Sequence, residues 1–190
     1  MTSIFAPFTS LSDGVITLRR LHEDDALAVT RACQDVDLVR WTASITHPYL
    51  ERNARAWLAG QPAKWEEGRT AGLAIVDAAS QEFLGNFSIA QVDWSARRAS
   101  VGYWVAAWAR GRGVATRATL LGSAWALNVL GLNELGLETM IGNVASERVA
   151  QKSGYEFVNE ELAVRVAIRP DRTFDLKHWR RRRADDDSSI

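Results

Sequence analysis

The chain has 190 residues, 47% hydrophobic and 24% charged, with 23 Lys+Arg balanced by 23 Asp+Glu and a single cysteine. That length suits one compact domain, and a net charge of zero leaves no basic field to hold nucleic acid by counterion release. Cys33 alone excludes an internal disulfide, and three scattered histidines offer no spacing for a metal site.

Residues 1–12, rich in Ser, Thr and Phe, read as an N-terminal arm ahead of one domain over residues 13–180. The first arginine is Arg19, so no basic segment introduces a secretory leader, and a cytoplasmic protein is expected. Val15–Leu18 is β-branched and marks a strand. Asp24 can cap a helix in which Ala26, Val29 and Cys33 share a face. Thr46 and Pro48 fit the start of a second helix with the stripe Leu50, Ala54, Trp57 and Leu58, and Pro62 should end or bend it. The period then falls to two. Gly72–Val76, Phe83–Val92 and Ala99–Ala106 read as strands joined by short turns, an antiparallel meander. In the third, Val101, Tyr103 and Val105 face one way, and Gly102, Trp104 and Ala106 the other. The longest mostly apolar run, Val101–Ala109, is too short to cross a bilayer, and no membrane partner is expected.

Helical spacing returns with Val114, Ala118, Leu121, Trp125 and Val129. Leu135–Ile141 reads as a strand, and Ser146–Ser153 as a short helix stopped by Gly154. Tyr155–Arg169 and Phe174–Trp179 fit a hairpin turning at Pro170-Asp171, and residues 181–190 a charged, disordered tail. This order implies an α/β (α+β) domain on one mostly antiparallel sheet.

Arg110-Gly111-Arg112-Gly113-Val114-Ala115 lies between a strand and a helix. Glycines let a backbone approach a ligand, and the first turn of a helix carries unpaired N–H groups at its positive end. Together these make a pyrophosphate site, to which Arg110 and Arg112 add charge. Two better-known phosphate loops do not fit: the single Lys-Ser pair, Lys152-Ser153, lies beyond the next strand, and Thr116 stands where a dinucleotide fingerprint needs its third glycine.

The pattern Arg110, Gly113, Ala115 after Gly102–Val105 resembles the acyl-CoA loop of the GNAT superfamily of N-acyltransferases. Asn143, Ser146, Val149-Ala150, Lys152 and Gly154-Tyr155 are similar to the matching segment of the Rim-type branch, whose best-known members acetylate ribosomal-protein N-termini. The resemblance implies a GNAT-like domain with helices on both faces of the sheet and two strands splayed apart for the acyl-CoA arm. It implies acetyl-CoA as co-substrate, an amine acceptor (a protein N-terminus or a small molecule), and allows a homodimer. It gives cofactor-binding roles to Val105, Arg110, Gly111, Arg112, Gly113, Val114, Ala115, Thr116, Asn143 and Lys152. Asn143 can equally be a plain helix cap.

Many relatives carry a tyrosine acid where this chain has Ala150, and a glutamate base where it has Ser100. Rim-type members share that alanine, and the resemblance implies that Ser146 meets the departing thiolate, by hydrogen bonding rather than full proton transfer. Ser146 can equally do no more than complete the first turn of its helix. No base stands out among Glu82, Asp93, Glu138 and Asp175. The histidines read as solvent-facing or structural, and most of the eight tryptophans as core; in relatives the region of Trp41, Trp57 and Trp65 lines the acceptor pocket. Other acyl groups such as succinyl, or an acyl-CoA sensor without turnover, are the competing functions.

Overall fold

The computed structural model describes Phe5 and residues 8–45, 47–166 and 169–184. Eight strands form a single sheet: β1 Ser10–Ser12, β2 Ile16–Arg20, β3 Thr70–Asp77, β4 Phe83–Asp93, β5 Arg98–Val105, β6 Glu134–Met140, β7 Glu156–Val166 and β8 Arg169–Arg182. Their order is β1-β2-β3-β4-β5-β6-β8-β7. Every neighbouring pair is antiparallel except β5 and β6, whose parallel pairing needs a helical crossover. The helices are α1 Ala26–Ala32, α2 Val36–Trp41, α3 Glu51–Ala59, α4 Gln61–Glu66, α5 Val114–Asn128 and α6 Val144–Lys152.

Both faces of the sheet are covered, so β3 is apolar almost throughout rather than alternating. Its Ala71, Leu73 and Ile75 join Phe87, Ile89, Val101, Leu135 and Leu137 beneath α5. Its Ala74 and Val76 meet Val29, Cys33, Ala54 and Leu58 of the α1–α3 layer on the opposite face. Each fully buried Leu, Ile or Phe here contributes about 1.5–3 kcal/mol. Gly122 in the middle of α5 serves this packing. A Cβ on it would lie 2.1 Å from Cε1 of the buried Phe87 ring, so the helix reaches the sheet only without a side chain there.

The parallel pairing positions the site. It spans only Arg98–Val101 against Glu134–Leu137. Past it, β5 follows β4 as far as Gly85↔Val105, while β6 follows β8 as far as Met140↔Leu176. The two strands part like a fork, and the facing edges of Gly102–Val105 and Glu138–Met140 do not pair with each other.

Several sequence expectations need correction. The carboxylate at the first helical turn is Asp25, not Asp24: it accepts the His22 N–H and holds Arg19 in a two-pronged ion pair. Helix α2 was not expected, because six residues show less than two turns of periodicity. Helix α3 begins at Glu51 and α4 follows Gly60 at once, with Pro62 inside the first turn of α4, where its missing N–H costs nothing. Thr46 lies outside the described residues. Helix α5 ends at Asn128 and leaves Val129 exposed. Pro170-Asp171 falls inside β8, whose first pair is Val166↔Arg169, so the chain reverses before it. Of the expected arm, Ser10–Ser12 is an edge strand on β2, and Phe5 is fully buried against Trp65, Trp94 and Trp125. Of the expected tail, Arg181 and Arg182 continue β8 against Leu135 and Glu134, and residues 185–190 lie outside the described residues.

Candidate active site

After β5 the chain makes a single 3-10 turn at Ala107–Ala109 and then the loop that precedes α5. Gly111 and Gly113 both lie in the left-handed region, φ +74° and +75°, where only glycine sits without penalty. A Cβ on either would meet nothing within 4 Å, so it is backbone conformation and not crowding that demands glycine. From Gly111 to Thr116 no backbone N–H finds an acceptor among the described residues; Arg117 is the first to pair, with the Gly113 carbonyl at 3.0 Å. These donors, at the positive end of a 15-residue helix, form an anion cradle made of backbone.

The two arginines contribute less to it than the sequence suggests. Arg112 turns to Asp77 at 3.9 Å and forms no part of the cleft wall. Arg110 stays on the wall but is ion-paired to Asp35 and donates to the Val105 carbonyl at 3.2 Å. Asp35 also caps α2 by accepting the Asp37 N–H, so Arg110 ties the loop to the helical layer. The attraction for an anion therefore comes from the backbone cradle, with Arg112 engaged elsewhere.

The cradle opens into a cleft of about 1220 Å³ that passes through the fork to the α2–α4 side of the sheet. Of the residues singled out from the sequence, Val105, Arg110, Gly111, Gly113, Val114, Ala115, Thr116, Asn143, Ser146 and Lys152 all line it. Asn143 caps α6: its Oδ1 accepts the Ser146 N–H at 3.2 Å, and the residue also lines the cleft. The helix cap and a place on the wall coexist.

Ser146 has a partner that the sequence could not assign. Tyr103 leaves β5 two residues past the last β5–β6 pair, and its hydroxyl lies 2.7 Å from Ser146 Oγ, bridging the limbs of the fork. Burial pushes the Tyr103 phenol up to about 12, with the Ser146 hydrogen bond pulling the other way. The phenol thus stays protonated. Either hydroxyl can donate in this pair; the phenol, the more acidic of the two, is the better donor, and in that arrangement the serine hydrogen is free for the cleft. The strand alternation already put Tyr103 beside Val101 and Val105; only the docking of α6 revealed what that face meets.

Beyond the fork, the four carboxylates separate. Glu138 lines the cleft and Glu82, Asp93 and Asp175 do not. Asp93 closes its own turn through the Ser95 hydroxyl and the Ala96 N–H, which hold its carboxyl below the usual range. Asp175 accepts the Ala163 N–H. Ser100, where relatives carry glutamate, donates to Gln91 Oε1 at 2.9 Å. His178, expected to be solvent-facing or structural, is on the cleft wall, directly across from Glu138 on the neighbouring strand. Trp41, Trp57 and Trp104 line this side, whereas Trp65 is core.

Residues 16–156 match the acetyltransferase (GNAT) domain family. Among solved structures, the chain is similar to RimJ of Mycobacterium smegmatis in complex with a CoA-disulfide, with a TM-score of 0.81, 22% identity, and 96% of this chain and 90% of that one covered. It is similar to RimL, a ribosomal L7/L12 alpha-N-protein acetyltransferase in complex with coenzyme A, with a TM-score of 0.79, 15% identity, and coverage of 88% and 94%. It is equally similar to the microcin C7 self-immunity acetyltransferase MccE in complex with acetyl-CoA and AMP, with a TM-score of 0.79, 15% identity, and coverage of 90% and 93%. At these identities the likeness is one of fold. No curated protein matches the chain by sequence.

Proposed function

The chain belongs to the GNAT acetyltransferase family, and from that premise we propose that it moves an acetyl group from acetyl-CoA to a primary amine by direct attack in a ternary complex. The observation that carries this reading is the row of unpartnered N–H groups from Gly111 to Thr116, set at the mouth of a fork in the sheet. A diphosphate needs such donors, and an extended amide-bearing arm needs an unpaired strand edge to add to. Acetyl-CoA supplies the thioester and a thiol leaving group.

In this reading the N–H groups of Gly111, Gly113, Val114, Ala115 and Thr116 hold the diphosphate, and Lys152 adds charge from α6. Val105 and Asn143 flank the arm, Asn143 with its side-chain amide. Ser146, primed by Tyr103, donates a hydrogen bond to the sulfur as negative charge builds there. A thiolate is a good leaving group at its ordinary pKa, so charge stabilisation suffices and full proton transfer from a serine is unnecessary. Glu138, the carboxylate of the four that reaches the cleft, takes the proton of the incoming ammonium. Holding both reactants in one cleft supplies much of the remaining barrier reduction.

The acceptor class follows the Rim-type resemblance: the α-amine of a protein N-terminus in the cytoplasm, with a small-molecule amine as the alternative. Thiol release from acetyl-CoA, measured across N-terminal peptides, polyamines and amino acids, tests the reading. Amine-dependent release and an acetylated product by mass spectrometry are expected. Binding of coenzyme A without release on any amine would leave a sensor domain in place of an enzyme.

A further inference from the structure

We propose that His178, held by Glu161, is the store behind Glu138 that keeps the acceptor's proton while reactants fill the cleft. The inference rests on the transferase reading and concerns a residue that this reading leaves idle. His178 sits on β8 opposite Glu138 on β6, one step past the last β5–β6 pair, where the fork opens. Each of its ring nitrogens faces a carboxylate. Nδ1 is 3.6 Å from Glu138 Oε1, an ion-pair distance, and Nε2 is 3.2 Å from Glu161 Oε2. Nε2 is shut off from solvent and has no aligned hydrogen bond in the free protein.

An imidazole between two carboxylates has a preferred way to work. Glu161, on the edge strand β7, does not line the cleft. A turn of its exposed side chain at the 3.2 Å separation would align it with a hydrogen on Nε2, and that tautomer leaves the Nδ1 lone pair toward Glu138. The side chain of Glu138 is 61% exposed, but its exposure is to the cleft that donor and acceptor must occupy. Water reaches it freely only when the cleft is empty.

The proton balance shows why a store matters. An ammonium acceptor gives up two protons in becoming an amide; one ends on the thiol and the other must leave. In the filled cleft Glu138 takes one proton from nitrogen and passes it to Nδ1. The resulting imidazolium is flanked by Glu161 and by the Glu138 carboxylate, now free to act again. The proton returns to water through Glu138 once the product leaves. Of the neighbouring cations on β8, Arg180, next on the same face, is engaged by Glu134 at 3.8 Å, and Lys177 turns to Glu147 and Glu160; Arg148 and Lys152 of α6 line the same cleft.

The test compares wild type with His178→Gln and Glu161→Gln, using an amine that the wild type acetylates. At pH 7 kcat is expected to fall by about tenfold or more in His178→Gln, with KM for acetyl-CoA and the acetyl-CoA thermal shift unchanged. The deficit should close above about pH 9, where an α-amine arrives neutral and needs no base. Glu161→Gln should show the same pH-dependent deficit to a smaller degree; its exposed side chain keeps the test open if His178→Gln fails to fold. A kcat within twofold of wild type at pH 7, or a loss equal at every pH, would overturn the store. A wild type that releases no thiol with any amine would overturn the transferase reading itself, and the store with it.

Discussion

Replacing Gly113 by glutamate sets a carboxylate where the backbone cradle faces the cleft. The free protein has room for it, since nothing lies within 4 Å of the Cβ position. Its cost there is conformational: an L-residue at φ +75° loses about 1–2 kcal/mol. At about 2–4 °C per kcal/mol for a chain of this length, the unliganded variant should melt about 2–8 °C below wild type. The larger effect falls on the donor. A carboxylate about 4 Å from one phosphate charge, at an effective dielectric constant of about 20, is repelled by about 4 kcal/mol, which is about three decades of affinity. Wild type with acetyl-CoA at about 100 times Kd gains about 2.7 kcal/mol, a rise of about 5–10 °C. Thermal melts with and without acetyl-CoA read both quantities. Gly113→Glu should lose the ligand-induced rise, whereas Gly113→Ala, with the strain but no charge, should melt low and keep most of it. A Gly113→Glu variant with a wild-type rise would mean that the diphosphate binds elsewhere, and the reasoning from the cradle would fail.

Tyr103→Phe removes the hydroxyl paired with Ser146 and should lower kcat by about tenfold, the worth of one hydrogen bond of about 1.4 kcal/mol, with little change in KM; an unchanged kcat would separate the pair from catalysis. All three tyrosines, Tyr49, Tyr103 and Tyr155, are pushed up to about 12, chiefly by burial. A folded pKa above the unfolded value means stability that is whole below about pH 10 and lost as pH climbs toward 12, because the unfolded chain sheds its phenolic protons first. Tyrosinate absorbance should therefore show no step near pH 10 and should rise together with unfolding; a separate early step would contradict the burial. Gly122→Ala gains about 1 kcal/mol in helix propensity yet drives a methyl into the buried Phe87 ring, an overpacking worth about 1–3 kcal/mol, so Tm should fall by several degrees. A higher Tm would show that the ring can yield.

Local chemistry made much of this protein legible from residues alone. The apolar run of β3, the alternation in β5, the 3.6-residue spacing of α5, and the glycine pair ahead of it are all fixed within a few residues of chain. Hard-sphere limits on φ and ψ act at that range, so the backbone cradle could be read directly from Arg110-Gly111-Arg112-Gly113. Signals of the same kind misled where neighbours overrode them. Pro170-Asp171 has the composition of a turn but lies in β8, because the pairing of β8 with β7 and β6 continues past it. Only the tertiary structure decided which side chains meet. Arg110 and Arg112 are drawn off by Asp35 and Asp77, acids from other elements. Tyr103 finds Ser146 across forty-three residues, and His178 finds Glu138 because β8 inserts between β6 and β7. A side chain's partners depend on how separate elements dock, and that depends on the burial of whole faces, which no short window of sequence contains.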